Sequence, residues 1–169
     1  GFLGAGMMCP RLSRASQKCS ESTMRIEKRF LAYGHELDTG VTPLEAGLGF
    51  SVAWKTPCIG RTALAARAKE PSPTRLVTIV MDDAHAVPLG NEPVYDREGQ
   101  VLVGKTTSAA FGYRIGKPLA LAYVDHPTEG MELAIDIGRT LCGGCVTMKA
   151  AFDADGRLMR RKAASPTDT

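Results

Sequence analysis

The succession of short strand patterns that follows Arg75 constrains the fold more than any other feature of this chain. Residues 76–81 are apolar at nearly every position, which indicates a strand covered on both faces. Residues 131–137 alternate cleanly between apolar and polar side chains, as a strand with one buried face does. Further strand patterns lie at 94–95, 101–103, 119–124 and 140–148, and Asp96–Gln100 reads as a hairpin turn. About six short strands separated by Gly, Pro and Asp predict a small, closed antiparallel β-barrel.

The chain before Arg75 carries more helix signals. Residues 63–69 favour a helix by propensity, and the proline-containing stretch Glu70–Thr74 ends it. Short strands are also expected at Met24–Ile26 and at Phe50–Trp54, with Trp54 in the core. The two halves together indicate an α+β fold.

These changes in predicted secondary structure and composition divide the chain into three parts. Residues 1–72 form a first unit, and residues 73–158 form the barrel. Residues 159–169 lack an apolar face, so we expect them to be a disordered tail.

Glu45 stands in the stretch T42-P-L-E45, which fits a helix-capping box. Thr42 would be the N-cap and Pro43 the first helical residue, and the Glu45 carboxylate would reach back to the free amide. The competing interpretation is that Glu45 binds a ligand, because a carboxylate offers two acceptors side by side.

Composition excludes several function classes. The 169 residues are 44% hydrophobic and 23% charged with a net charge of +3, as expected for an ordinary soluble domain. The charges are interspersed, so we expect no nucleic-acid partner. The apolar opening of the chain is too short to span a bilayer, and we expect no membrane association.

The cysteines and histidines carry no recognisable site pattern. Five scattered cysteines suit a reducing compartment, so we expect a cytoplasmic protein, or a matrix protein in a mitochondrion. Cys142 and Cys145 are spaced as a redox pair but fall in a strand-like run, which favours a structural role. The histidines are far apart, so we expect no metal site. We also find no nucleotide-binding motif and no nucleophile with a base partner in sequence.

Two blocks of sequence resemble the aminomethyltransferase superfamily. The first reads M24-R-I-E-K-R-F-L-A-Y-G-H-E36 and T42-P-L-E-A-G-L-G-F50, where members read approximately L-R-L-E-K-G-Y-x-x-W-G-x-E and T-P-x-E-A-G-L-G-F. The second, T107–V124, is similar to the signature of the family's C-terminal barrel. The pattern is nearest to the C-terminal, folate-binding part of dimethylglycine and sarcosine dehydrogenases. This resemblance implies the end of a folate-binding domain followed by a Greek-key β-barrel.

The resemblance also implies a function and a site. The family transfers a one-carbon unit to tetrahydrofolate, and its glutamate at the position of Glu45 accepts hydrogen bonds from the pterin ring. Phe30 and Tyr33 are plausible core residues, whereas the resemblance implies that one or both line the folate pocket, as the corresponding family Tyr and Trp do. Arg75 is either a solvated charge at the start of a strand or, as the resemblance implies, an arginine between the two domains that can contact the folate tail. Arg29 departs from the pattern, because members carry glycine there.

Part of the family's machinery is expected upstream of this chain. The chain begins at Gly1, and we interpret it as a piece of a longer protein. The family's aspartate that assists proton handling has no counterpart here, so we predict no catalytic residue and half a folate site. FAD is expected only in an upstream flavin domain, and the expected substrate is a small methylated amine or another aminomethyl donor. The alternative is a non-catalytic regulatory or assembly module of the same design.

Overall fold

The computed structural model describes residues 23–70, 72–158 and 160. Six strands form one closed antiparallel barrel. They are β1 (Thr74–Met81), β2 (Pro93–Asp96), β3 (Leu102–Gly112), β4 (Lys117–Asp125), β5 (Glu132–Ile137) and β6 (Thr140–Thr147). Before the barrel lie a helical turn at residues 23–27, a 3-10 turn at Gly49–Ser51 and helix α1 at Arg61–Lys69.

The strand order around the barrel is β1-β4-β3-β2-β5-β6, and β6 closes onto β1. Strands β2, β3 and β4 are consecutive antiparallel neighbours, and β1 returns over a longer connection to lie beside β4. That is a Greek-key arrangement. The predicted fold class is therefore confirmed.

Two clusters of buried side chains cover opposite faces of β1. The barrel interior is filled by side chains from all around the sheet, including Val77, Ile79 and Met81. On the outer face, Leu76 packs with Ile26, Leu119 and Leu121. The prediction that residues 76–81 are covered on both faces is therefore correct, and the outer cover comes from the segment before the barrel.

Residues 24–26 form a helical turn and not the predicted strand. Thr23, Ile26 and Glu27 are buried while Met24 is exposed, which is a helical spacing of three and four residues. Two alternating apolar residues are too few to distinguish the two-residue period of a strand from the 3.6-residue period of a helix.

Residues 50–54 also do not form the predicted strand. Phe50 is 86% exposed and Trp54 is 39% exposed, so the expected burial of Trp54 is wrong. The amides of Ser51, Val52 and Trp54 bond to carbonyl oxygens two or three residues earlier. Amides that are used locally are not available for a strand ladder.

Helix α1 and strand β3 differ in length from their predictions, and most of the predicted tail lies outside the described residues. Helix α1 matches the expected helix at 63–69 but starts two residues earlier, after Gly60 with φ 82°. Strand β3 is much longer than the predicted 101–103. The tail at 159–169 lies outside the described residues except for Arg160, so its disorder stays a prediction. No helix within the described ranges is long and apolar enough to cross a membrane.

Candidate functional site

Residues 43–47 form a hydrogen-bonded turn and not the predicted helix. The hydrogen bonds of the predicted capping box are present and close this turn. The Glu45 Oε2 atom accepts hydrogen bonds from the Thr42 amide and the Thr42 hydroxyl, both at 2.8 Å. The Glu45 amide donates to the Thr42 hydroxyl at 3.3 Å. Beyond the box, Glu45 Oε1 accepts a 2.9 Å hydrogen bond from Ser72 and lies 3.7 Å from the Arg67 guanidinium.

These partners keep the Glu45 carboxylate ionised. Burial acts to raise its pKa, but the hydrogen bonds from Thr42 and Ser72 and the charge of Arg67 outweigh it, and the pKa is lowered. A carboxylate has about four lone-pair sites, and three of them are occupied by hydrogen bonds here. A ligand that uses both oxygens of Glu45 would have to displace at least one of these donors.

A cavity of about 990 Å³ opens beside this turn, and we call it the Glu45 cavity. It lies between the segment before the barrel and the start of β1. Its lining residues include a carboxylate, three cationic side chains and two aromatic rings: Glu45, Lys28, Arg29, Arg75, Phe30 and Phe50. A second cavity of about 580 Å³ shares Glu45 and Arg75 and adds Arg67 and Ser72.

The structure brings three of the predicted ligand-binding residues to one cavity. Glu45, Phe30 and Arg75 all line the Glu45 cavity. Tyr33 is not among the residues that line it, and its side chain is 75% exposed. Ligand binding by these side chains stays a prediction.

Leu76 connects the Glu45 turn to the barrel. Its amide donates a 2.9 Å hydrogen bond to the Glu45 carbonyl oxygen. Its carbonyl oxygen accepts from Arg29 Nη2, while Arg29 Nη1 donates to the carbonyl oxygen of Met148, just after β6. Sequence reasoning singled out Arg29 only as a departure from glycine and did not find this contact.

Glu36 is a second residue that sequence reasoning missed. Its fully buried carboxylate pairs with Arg25 at 2.6 Å and accepts hydrogen bonds from the Ala32 amide and from Ser108 of β3. The Tyr123 hydroxyl of β4 donates to the Glu36 carbonyl oxygen at 2.8 Å. The available signal was the glutamate that ends the first block of the family pattern. Glu36 thus fixes the segment before the barrel to the barrel wall.

The cysteine pair lies in β6, as predicted, and both thiols are free. Residues three apart in a strand are separated by about 10 Å, which is beyond the span of a disulfide. Within the described stretches, no three His, Cys, Asp or Glu side chains gather into a group that could hold a metal ion.

Comparison with known proteins places the barrel in a family. Residues 74–153 match the family model of the glycine cleavage T-protein C-terminal barrel domain. An aminomethyltransferase of Symbiobacterium thermophilum is 44% identical over 128 residues, which are 72% of this chain and 33% of that protein. The mitochondrial dimethylglycine dehydrogenase of Mus musculus is 40% identical over 124 residues, which are 72% of this chain and 14% of that protein.

A solved structure shares the fold. The crystal structure of glycine cleavage system aminomethyltransferase T from Bartonella henselae superposes with a TM-score of 0.73 at 20% identity, covering 80% of this chain and 38% of that one. The chain therefore spans about a third of the length of the aminomethyltransferases that it matches, and less of the dehydrogenase.

Proposed function

Because the chain belongs to the aminomethyltransferase family through its glycine cleavage T-protein C-terminal barrel domain, we propose that it forms one side of a tetrahydrofolate site for one-carbon transfer. The observation that carries the proposal is the convergence of Glu45, Phe30 and Arg75 on one cavity. These are three of the residues for which the family pattern implies contact with folate.

The chemistry of each side chain suits a part of folate. The pterin edge presents an N–H and an amino group side by side, which match the two oxygens of the ionised Glu45 carboxylate. Phe30 is half-exposed at the same cavity and offers a flat apolar surface to a ring. Arg75 lines both cavities and suits a carboxylate of the folate tail.

The upstream part of the relatives would complete this site. Phe50, Trp54 and Ile59 are exposed, and helix α1 has no buried residue. A helix of this length gains little stability alone and depends on packing. An upstream polypeptide of the kind found in the longer relatives would cover this face and supply the opposite wall of the cavity. This completion, the aminomethyl donor and an upstream flavin domain belong to the proposal.

Titration calorimetry with tetrahydrofolate tests the role of Glu45. Hydrogen bonds to a charged group contribute about 1.5–3 kcal/mol, so Glu45→Gln should weaken binding about tenfold to a hundredfold. Glu92→Gln is a matched control, because Glu92 also accepts backbone amides and has a lowered pKa but does not line the cavity. Equal affinity of Glu45→Gln and the parent chain would refute the pterin role.

A second measurement separates the enzyme from the non-catalytic module. The chain is mixed with the upstream two-thirds of an aminomethyltransferase, and formation of methylenetetrahydrofolate from an aminomethyl donor is followed. Turnover that depends on this chain supports the transfer function. Folate binding without turnover would favour the regulatory or assembly alternative.

A further inference from the structure

Arg29 has a backbone conformation that glycine favours. Its φ is 53°, in the left-handed region, where a Cβ is crowded by the neighbouring backbone. The family pattern has glycine at this position, so the conformation is the one expected for the family while the side chain is not. The helical turn at residues 23–27 ends in this conformation, because the amides of Arg29 and Phe30 donate to the carbonyl oxygens of Ile26 and Arg25. The Arg29 side chain makes a separate contact.

That contact lies where the β1–β6 ladder stops. The ladder pairs residues 78–81 of β1 with residues 144–147 of β6 and goes no further. Leu76 lies two residues before it, and its amide and carbonyl need other partners. The Leu76 amide donates to the carbonyl oxygen of Glu45, and the Leu76 carbonyl oxygen accepts from Arg29 Nη2.

Arg29 also bonds to the chain at the end of β6, the strand that pairs with β1. Its Nη1 atom donates to Met148, directly after β6, so one guanidinium bridges the two diverging strands. The planar fork of arginine can donate to two carbonyl oxygens at once. Gly47, two residues after Glu45, is also close, because a Cβ built there would lie 3.9 Å from Arg29 Nη2.

The charge of Arg29 is partly buried beside acidic groups. Burial lowers its pKa, and the nearby Tyr123 and Glu129 act in the opposite direction. Glu129 lies close to the end of β6, since it accepts a 2.6 Å hydrogen bond from the Met148 amide. Burial outweighs these two groups, so the pKa of Arg29 is lowered, but the guanidinium keeps its charge and donates to the carbonyl oxygens of Leu76 and Met148.

We propose that Arg29 is a positioning residue that holds the Glu45 turn against β1 and so fixes the wall of the Glu45 cavity. It acts through Leu76, whose carbonyl it binds and whose amide binds Glu45. The consequence for folate affinity rests on the proposed function, whereas the positioning itself does not.

Hydrogen exchange of single amides by NMR tests the positioning directly. In Arg29→Met, which keeps the side-chain length but has no donors, the Leu76 amide should exchange about tenfold to a hundredfold faster than in the parent chain. Amides that pair β5 with β6 should keep their protection. Arg29→Gly removes the strain together with the donors, so it should lie between Arg29→Met and the parent.

Arg139→Met is the matched control, because Arg139 also has a positive φ, of 68°, but is exposed in the β5–β6 turn. It should leave the exchange of Leu76 unchanged. Unchanged exchange in Arg29→Met would overturn the proposal, and so would an equal acceleration in every strand, which would mean general destabilisation.

Tetrahydrofolate titration of the same variants gives the functional readout. Affinity should fall in the order parent, Arg29→Gly, Arg29→Met, with Arg139→Met equal to the parent. If the parent binds and Arg29→Met binds equally well, the proposal fails. If the parent does not bind, the proposed function fails, and the exchange data still decide the positioning role.

Discussion

Arg25 and Glu36 form a 2.6 Å ion pair in which the carboxylate has no solvent exposure. The same carboxylate accepts a hydrogen bond from Ser108 of β3. The segment before the barrel is therefore attached to the barrel wall through a buried charge, and the two parts depend on each other. Removing the Glu36 carboxylate leaves Arg25 without its opposite charge and Ser108 without its acceptor.

Glu36→Ala should destabilise the chain by about 3 kcal/mol or more, because Arg25, Ser108 and the Ala32 amide all lose their acceptor. Glu36→Gln keeps an acceptor oxygen and should cost less. Urea unfolding measures both changes. Glu132→Ala is the control, since its ion pair with Arg97 is exposed and should change stability by less than about 1 kcal/mol. Similar losses in Glu36→Ala and Glu132→Ala would contradict the importance of the buried pair.

Stability should fall in acid because carboxylates with lowered pKa values lose their partners. For Glu36, burial acts to raise the pKa, but the hydrogen bonds from Ser108 and Ala32 and the charge of Arg25 lower it below the ordinary 4.5. The folded state therefore binds fewer protons than the unfolded state. Its stabilisation is complete above the ordinary value and is lost as pH falls through the lower, folded-state pKa.

Thermal unfolding between pH 7 and pH 3 checks this expectation. The parent should lose stability as pH falls below about 4.5. Glu36→Gln should show a shallower loss, because its side chain does not titrate. Identical pH profiles for the two proteins would exclude Glu36 as a source of the acid sensitivity.

Gly104 is required by the close approach of β3 and β4. A Cβ there would lie 2.2 Å from the Tyr123 carbonyl oxygen and 3.0 Å from the Val124 Cα, and both are backbone atoms. Gly104→Ala should therefore destabilise the barrel by about 3 kcal/mol or more, or prevent folding. Gly116→Ala has open space but a φ of 73°, and should cost about 1–2 kcal/mol. Urea unfolding or soluble yield ranks the two, and the reverse order would contradict the account.

The barrel could be predicted from sequence because its strands carry their own periodicity. Residues 131–137 alternate and residues 76–81 are apolar at nearly every position, and both stretches form strands. The alternation identified the strand but not its full burial, because Ala134 is buried together with Leu133 and Ile135. Residues 50–54 also alternate, but their amides bond locally and the side chains stay exposed. The periodicity of side chains does not show whether a neighbouring strand is available to pair with the backbone. Residues 50–54 have no such partner in the described part of the chain, so they form a turn and not a strand.

The candidate site was predictable where residue types repeat a motif, either of local chemistry or of the family pattern that pointed to Phe30 and Arg75. The capping box at Thr42 and Glu45 follows from residue types at fixed spacing. The contact of Arg29 with Leu76 and Met148 joins residues 47 and 119 positions apart. Such a contact leaves no mark in a single sequence. Tyr33 shows the converse limit, because an aromatic residue near a pocket in sequence need not line it in space.

Under the proposed function, Ser72 would compete with the pterin for Glu45. Its hydroxyl donates a 2.9 Å hydrogen bond to Oε1, the oxygen that the capping box leaves to other partners. Thr42 occupies both lone-pair positions of Oε2, so a pterin that binds both oxygens displaces one Thr42 donor and shares Oε1 with Ser72. Without Ser72, Oε1 would accept from the ligand alone. A neutral hydrogen bond has a net value of about 0.5–1.5 kcal/mol, so Ser72→Ala should tighten tetrahydrofolate binding about two- to tenfold.

Titration calorimetry of Ser72→Ala beside Thr74→Ala provides the comparison. Thr74 lines the same second cavity, but its hydroxyl bonds to Asp125 and not to Glu45. Thr74→Ala should therefore keep the parent affinity. Weaker binding in Ser72→Ala would mean that Ser72 contacts the ligand itself. Equal binding in all three proteins would mean that the ligand leaves the Glu45 hydrogen bonds intact, and that the carboxylate serves the turn alone.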